Sequence, residues 1–403
     1  TDWSHVEVDI STSRVGCDWN SDRPRNYIRS NSFPGRIYSP EEFGLLALLL
    51  SISNIATMVA CLRYDTALPS APEEDIPGLL RLCLGSSCIL AVMTPLAISL
   101  LRELDVLTEV VKPLGAIWPT VSLCIFLAGA FQASAALLLR MGAYRSVGLL
   151  RASQGMTFST LGLIPTIGLA WAYASSFLGG LIALRRIGGR GLQSLPLSAI
   201  ASKYKEFTVL NLPGAILDVV GCNVCLWTVI SHYGQEAGGE LSQVQRLIGG
   251  PLMIISLSLG QTLLRQTAEL SRDKNAIKTL LVRLLTIFSG SSLAAIALLY
   301  FTGEPLIGYL LGQRWSISRE MIIAVSIAVF VRACVSPLSS VLVTYRRFDL
   351  GIAWQGLYFA SAMILFPQAA LMLTFEHFLI FFAAHELMLY AVYLGLIIHS
   401  VKD

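Results

Sequence analysis

The chain has 403 residues, of which 54% are hydrophobic and 14% are charged, and its mean hydropathy is +0.65. A soluble protein of this length needs far more charge to cover its surface, so the composition excludes a soluble globular protein. The net charge of +3 is small, and we expect membrane lipids rather than nucleic acid as partners.

The first 36 residues are polar and differ from the rest of the chain. They contain no apolar run and carry five arginines: Arg14, Arg23, Arg25, Arg29 and Arg36. This segment is therefore neither a signal peptide nor a transmembrane helix.

From Phe43 onward the chain consists of eleven apolar stretches joined by short polar connectors. About 20 apolar residues span the ~30 Å hydrocarbon core as a helix, and the backbone must satisfy its own hydrogen bonds there. The runs are too continuous for barrel strands. We predict an all-α polytopic membrane protein with helices at 43–62, 79–101, 113–139, 147–168, 169–184, 207–230, 241–264, 279–301, 320–345, 351–374 and 377–398.

The distribution of positive charge predicts the orientation of these helices. If the first runs from outside to inside, eighteen Lys and Arg residues lie on the cytoplasmic side and four on the other. The four outer residues are Arg102, Lys112, Arg314 and Arg319. The positive-inside rule favours this orientation and a multi-pass protein of the cytoplasmic (inner) membrane.

That orientation leaves residues 1–36 outside with nothing to carry them across. The sequence therefore predicts a missing helix before Tyr38, lost by truncation, a wrong start or a frame change. The alternative is a natural eleven-helix protein whose polar head is translocated.

A short repeat divides the chain into two parts. Tyr38, Glu41 and Gly44 open the first span, and Tyr233, Glu236 and Gly239 fall at the same offsets before the seventh. Both copies face the same side, as in parallel repeats. We predict two six-helix bundles related by a pseudo-two-fold axis: the five-helix N-terminal bundle at 37–186, a cytoplasmic linker at 187–206, and the C-terminal bundle at 207–403.

Ionisable residues within spans are costly and need a partner or a polar cavity. Three arginines are candidates for substrate binding, because a guanidinium matches phosphate oxygens: Arg63, Arg246 and Arg332. Alternatively, Arg63 is an ordinary interfacial anchor, and Arg246 a helix-packing donor.

Three further residues are candidates for ion coupling. Asp218 lies half-way along its span, and His385 and Glu386 lie in the middle of the last span. A proton relay through the last two is the functional interpretation, but a satisfied polar contact between helices is favoured. We also consider an ion pair between Asp218 and Arg332. Cys222-x-x-Cys225 has metal-site spacing but no second pair, so we predict no metal site.

Ordered motifs resemble those of the O-antigen-type, Wzx-like polysaccharide flippases, in the superfamily that also holds lipid II flippases and multidrug extruders. These are Tyr38–Gly44, Leu62–Ala67, Gly239 through Arg246 to Pro251, Gly312–Trp315 and Arg346-Arg347. The resemblance covers residues 37–400 and implies export of a polyprenyl-diphosphate-linked oligosaccharide by alternating access, together with other polysaccharide assembly proteins. In relatives the absent first helix lines the central cavity.

Other functions are ranked lower. A multidrug extruder of the same superfamily would favour acidic residues in the cavity. A glycan polymerase or ligase would carry a large outer loop, whereas the longest predicted outer connector runs only from Thr302 to Arg319. No ATPase or hydrolase motif occurs, so we predict a protein that is not an enzyme and needs no cofactor.

Overall fold

The described part of the chain is almost entirely helical. The computed structural model describes residues 37–69, 71–104, 108–187, 196–270, 274–312, 314–345 and 347–402. No β-strand occurs within these ranges, so the all-α prediction is confirmed. The predicted polar segment 1–36 and the linker residues Gly188–Gly191 lie outside them.

Fifteen α-helices follow one another in these ranges. They are α1 Pro40–Ala60, α2 Ile76–Glu103, α3 Thr108–Ala116, α4 Trp118–Arg140, α5 Tyr144–Gly162, α6 Leu169–Ser176, α7 Leu178–Ile187, α8 Leu197–Lys203, α9 Lys205–Tyr233, α10 Gln235–Glu269, α11 Lys274–Leu311, α12 Arg319–Val335, α13 Ser340–Thr344, α14 Phe348–Met372 and α15 Phe375–Lys402. We call α1–α7 the N-half and α9–α15 the C-half.

Eight helical segments of the described ranges are long and apolar enough to cross a membrane, as expected for a multi-pass membrane protein. They are Pro40–Ala60, Glu73–Glu103, Trp118–Arg140, Leu212–Tyr233, Asn275–Leu311, Arg319–Leu342, Asp349–Met372 and Phe375–Val401. The other three predicted spans correspond to α5, to α6 with α7, and to α10. The predicted division between the fourth and fifth spans lies at Gly168. Its φ of +74° is a left-handed backbone angle that glycine adopts without steric cost.

Local sequence explains both ends of α1. Ser39 accepts a hydrogen bond from the Glu42 backbone, and the Glu42 side chain accepts one from the Ser39 backbone, which forms a capping box. The helix ends before Leu62 and Arg63, whose φ angles of +47° and +63° are left-handed. This conformation is unfavourable for residues with a Cβ, so tertiary contacts must hold it.

The two halves meet where α1 crosses α10. A Cβ added to Gly44 would lie 2.1 Å from the carbonyl oxygen of Gln235, and one added to Gly239 would lie 1.9 Å from that of Pro40. Only glycine permits such a close backbone approach. The two contacts are reciprocal, because the shift that relates Gly44 to Gly239 also relates Pro40 to Gln235.

Two tyrosines make corresponding contacts within their own halves. The Tyr38 hydroxyl donates to the carbonyl oxygen of Ile164, just after α5, over 3.3 Å. The Tyr233 hydroxyl donates to the carbonyl oxygen of Leu373, just after α14, over 2.9 Å. Tyr38 lies just before α1 and Tyr233 just before α10. Each repeat tyrosine therefore ties the chain before one helix to the end of another.

The linker helix α8 is attached to the N-half. Ile200 is fully buried against Gly78, where an added Cβ would lie 2.8 Å from the isoleucine. Lys203 forms an ion pair with the buried Asp75, and the Tyr204 hydroxyl donates to the same carboxylate over 2.8 Å. The chain thus enters α9 from an anchored point.

Candidate cleft and buried ion-pair site

Arg63 lies at the predicted inner end of α1 as a partly buried cation. Its Nη1 is 3.5 Å from the sulfur of Met58, and its Nε is buried without a hydrogen-bond partner among the described atoms. Burial raises the pKa of the nearby Asp65 carboxyl, while the charge of Arg63 opposes that rise. No ion pair joins Arg63 to a described carboxylate, although its charge acts on Asp65 two residues away.

Arg246 borders a cavity of about 180 Å³ where the halves meet. The cavity is lined from α10 by Gln243, Arg246 and Leu247, and from α5 by Phe158 and Gly162. Within the described residues Arg246 has no hydrogen bond or ion pair, and the buried Oε1 of Gln243 has no hydrogen-bond partner. Two polar groups therefore face this space with unused bonding capacity.

Arg332 is neutralised by Glu386. Its Nη2 lies 3.2 Å and 3.4 Å from the two carboxylate oxygens of Glu386 and 2.9 Å from the Tyr358 hydroxyl. The Tyr358 hydroxyl also donates to Glu386, and the guanidinium lies over the Tyr390 ring at 5.8 Å. Helices α12, α14 and α15 thus share one charge-neutral network.

Asp218 on α9 lies close enough to Arg332 to interact electrostatically with its guanidinium. The structure pairs Arg332 with Glu386, and no ion pair joins Asp218 to any described residue. Cys222, one turn further along α9, is exposed. The Arg332 side chain is 38% exposed.

His385 lies beside the ion-pair network and makes contacts of its own. Its Nε2 is 3.0 Å from the Ser361 hydroxyl, its ring packs against Phe366 at 4.6 Å, and its Nδ1 is buried without a described partner. The side chain is 2% exposed. No described hydrogen bond joins His385 to Glu386, but both contact Tyr358, whose ring lies 5.9 Å from the His385 ring and whose hydroxyl donates to Glu386.

Sequence reasoning missed a groove in the N-half. It has a volume of about 590 Å³ and lies between α5 and α7; most of its lining is apolar, but four hydroxyl groups border it, those of Ser146, Ser153, Thr157 and Ser175. Three of them recur at helical spacing on one face of α5, which was the available signal. The tyrosines that complete the Arg332 network carried no such signal, because aromatic residues are common in spans.

The described cysteines carry no visible metal chemistry. All seven described cysteines are free, including Cys222 and Cys225. No group of three or more His, Cys, Asp or Glu residues in the described ranges could hold a metal ion.

Comparison with known proteins identifies the fold. No protein-family profile and no curated protein matches the sequence. Among solved structures, a lipid II flippase, MurJ, in an inward closed conformation matches with a TM-score of 0.72 and 14% identity over 94% of this chain and 84% of that one. An inward-facing multidrug resistance MATE family transporter of the MOP superfamily matches with a TM-score of 0.62 and 13% identity over 94% of both chains. The chain has the fold of these transporters.

Proposed function

We propose that this chain is a flippase that carries a polyprenyl-diphosphate-linked oligosaccharide across the cytoplasmic membrane. The observation that carries the proposal is Arg63. Its side chain is partly buried at the predicted inner end of α1, forms no ion pair with a described carboxylate, and extends from a backbone that is left-handed at Leu62 and Arg63. An unneutralised guanidinium binds a diphosphate far better than an organic cation.

The rest of the described molecule fits this assignment. The N-half offers hydroxyl groups, in the 590 Å³ space, that could bond to sugar hydroxyls. The halves touch through Gly44 and Gly239 at the predicted outer end of α1 and α10. Rocking of the two halves about such a contact would give alternating access, and the lipid tail would stay in the bilayer.

The driving force in this proposal is an ion gradient or the membrane potential. Asp218 is the coupling candidate, because it lies within its span, near Arg332 and without a described ion pair. Arg332 is less available for substrate, since Glu386 neutralises it at 3.2 Å. His385 is the second candidate for proton movement, through its unpartnered Nδ1.

The test replaces Arg63 by Ala and by Lys in the full chain. We expect Arg63→Ala to abolish surface polysaccharide in a host that depends on this protein, and Arg63→Lys to restore part of it through charge alone. Arg145→Ala, an exposed arginine of α5, is the matched control and should leave export normal. Normal export by the Arg63→Ala variant, at equal protein level in the membrane, would contradict the proposal.

A cation or drug extruder is the second candidate, and Asp218 is the observation that favours it. A carboxylate within a span and without a described ion pair is what an organic cation would bind. Under this alternative, Asp218→Asn would remove drug resistance while Arg63→Ala preserves it. The flippase proposal expects no drug resistance to change in either variant.

A further inference from the structure

We propose that Thr208 of α9 is a positioning residue for Arg63, because its hydroxyl holds the left-handed turn from which the Arg63 side chain extends. The inference rests on the proposed function, in which Arg63 binds a diphosphate. It adds that both halves build the diphosphate site, since Arg63 follows α1 of the N-half and Thr208 belongs to the C-half.

The turn after α1 has an unfavourable backbone. Leu62 and Arg63 have φ angles of +47° and +63°, and residues with a Cβ keep this conformation only where surrounding contacts hold it. Two such residues in succession make the turn dependent on its neighbours. The direction in which Arg63 extends is therefore set by the groups that hold the turn.

Hydroxyl groups from two helices bind the carbonyl oxygens of this turn. Ser86 of α2 donates to the Ala60 carbonyl oxygen over 2.6 Å. Thr208 of α9 donates to the Leu62 carbonyl oxygen over 2.6 Å as well. The last carbonyl groups of a helix have no partner within that helix, so these hydroxyls supply bonds that the end of α1 cannot make by itself.

The start of α9 is anchored close to the turn. The Tyr204 hydroxyl donates to the buried Asp75 over 2.8 Å, and Ile200 is fully buried against Gly78. Thr208 lies about one helical turn beyond Tyr204, so the two side chains point to the same side. The Thr208 hydroxyl therefore reaches the turn from a fixed helix start.

Further along, the same helix belongs to the core of the C-half. A Cβ added to Gly221 would lie 3.2 Å from the ring of Tyr358 on α14, and Val224 is buried in one cluster with Phe366. Helix α9 thus touches both the Arg63 turn and the C-half core. The backbone that carries Arg63 is consequently held by a helix whose place is fixed by the C-half.

The Arg63 side chain is sensitive to this control. Its Nε is buried without a described hydrogen-bond partner, and its Nη1 lies 3.5 Å from the Met58 sulfur. A guanidinium binds phosphate oxygens through N–H groups fixed in one plane, so a small rotation of its backbone misaligns several bonds together. The Thr208 hydroxyl acts on the diphosphate through this alignment.

The test compares two substitutions in the purified full chain. Thr208→Val removes the hydroxyl and keeps a β-branched side chain, whereas Thr208→Ser keeps the hydroxyl. The matched control is Thr286→Val on α11, where the hydroxyl donates to the Val282 carbonyl oxygen of its own helix over 2.9 Å.

The first measurement involves no substrate. Hydrogen exchange read by mass spectrometry reports on the amides of residues 62–68, among which those of Tyr64 and Ala67 donate within the turn. We expect Thr208→Val to speed this exchange about fivefold, the effect of one lost hydrogen bond. Thr208→Ser and Thr286→Val should exchange at the wild-type rate. Unchanged exchange in Thr208→Val would overturn the inference, whatever Arg63 binds.

The second measurement is calorimetric binding of farnesyl diphosphate, a water-soluble polyprenyl diphosphate. Thr208→Val should weaken binding about fivefold, and Thr208→Ser should retain it. In the Arg63→Ala background, Thr208→Val should cause no further loss, because a positioning residue acts only through the residue that it positions. An equal further loss in that background would overturn the positioning role.

The binding data also separate the two proposals. Normal binding by Arg63→Ala would contradict the proposed function. Weak binding by Arg63→Ala together with normal binding by Thr208→Val would overturn this inference alone, since the diphosphate would then need Arg63 but not the hydroxyl that holds its turn.

Discussion

The two halves differ in how their described polar groups are partnered. In the C-half, Arg332, Glu386 and Tyr358 bond to one another across three helices, although Asp218 and Arg246 of the same half form no described ion pair. In the N-half, Arg63 has no described ion pair, and four hydroxyl groups border a groove of about 590 Å³. We therefore expect the three-helix network to make the C-half core the more sensitive to substitution.

Aromatic packing follows the same division. Between α14 and α15, Trp354 stacks on Tyr393 with ring centres 4.1 Å apart, and Phe366 packs against Phe378 and Phe382. Between α5 and α7, a groove of about 590 Å³ stays unfilled. Large rings bury more apolar area and exclude cavities, so we expect mutations in the C-half core to cost more stability.

The largest effect is expected from Glu386→Met. It leaves Arg332 inside the C-half without its carboxylate, which should cost about 3 kcal/mol, the low end for a broken buried pair since Arg332 keeps some exposure. Thermal unfolding of the purified protein in detergent measures the loss. The double variant Arg332→Met with Glu386→Met should recover most of it.

An exposed ion pair supplies the control for that experiment. Arg319 and Glu304 form an exposed pair at 3.2 Å, so Arg319→Ala should leave the melting temperature close to that of the wild type. If Glu386→Met unfolds at the wild-type temperature, the C-half network does not stabilise the protein and the comparison between halves fails.

The next effect concerns the contact between the halves. In Gly44→Ala the new Cβ would meet the Gln235 backbone at 2.1 Å, and Gly239→Ala would meet Pro40 at 1.9 Å. Backbone cannot yield as a side chain does, so each variant should lose about 2 kcal/mol. Melting temperature measures both variants, and similar losses would support a reciprocal contact.

Gly250→Ala is the matched control on the same helix. A Cβ there would have no neighbour within 4 Å, so the substitution should be neutral or slightly stabilising through helix propensity. Unchanged melting in the two contact variants would mean that α1 and α10 do not cross so closely.

Much of the fold was predictable because membrane helices follow from composition. All eleven predicted spans correspond to helices, and the division at Gly168 was found although almost nothing polar marks it. Boundaries were harder to predict. The predicted span 279–301 belongs to α11, Lys274–Leu311, because helices continue beyond the apolar core into the interface.

The candidate site was only partly predictable. The sequence indicates which ionisable residues are costly to place in a membrane span, and Arg332 and Glu386 are both among them. It does not indicate that these two residues bind each other from different helices. Long-range pairing depends on helix rotation and packing, which a single sequence does not encode locally. The hydroxyl face of α5 was overlooked because Ser and Thr are inexpensive in membrane helices and therefore attract no notice.

The smallest predicted effect tests the repeat directly. Tyr38→Phe and Tyr233→Phe each remove a hydroxyl that donates to a helix-end carbonyl, so each should cost about 1 kcal/mol. Tyr233 should cost more, because its bond to Leu373 is 2.9 Å long and a second carbonyl, that of Ala370, lies at 3.4 Å.

Tyr144→Phe, whose ring is 72% exposed, should leave the melting temperature unchanged and so controls for the loss of a hydroxyl as such. The double variant should be additive within about 0.5 kcal/mol, since the two bonds lie in different halves and share no acceptor. A cost at Tyr233 with none at Tyr38 would mean that the matching motifs do not serve equivalent structural roles. Comparable costs would mean that the two repeat tyrosines contribute similarly to stability. The halves would then differ in their buried polar groups and not in the contacts that fix their helix ends.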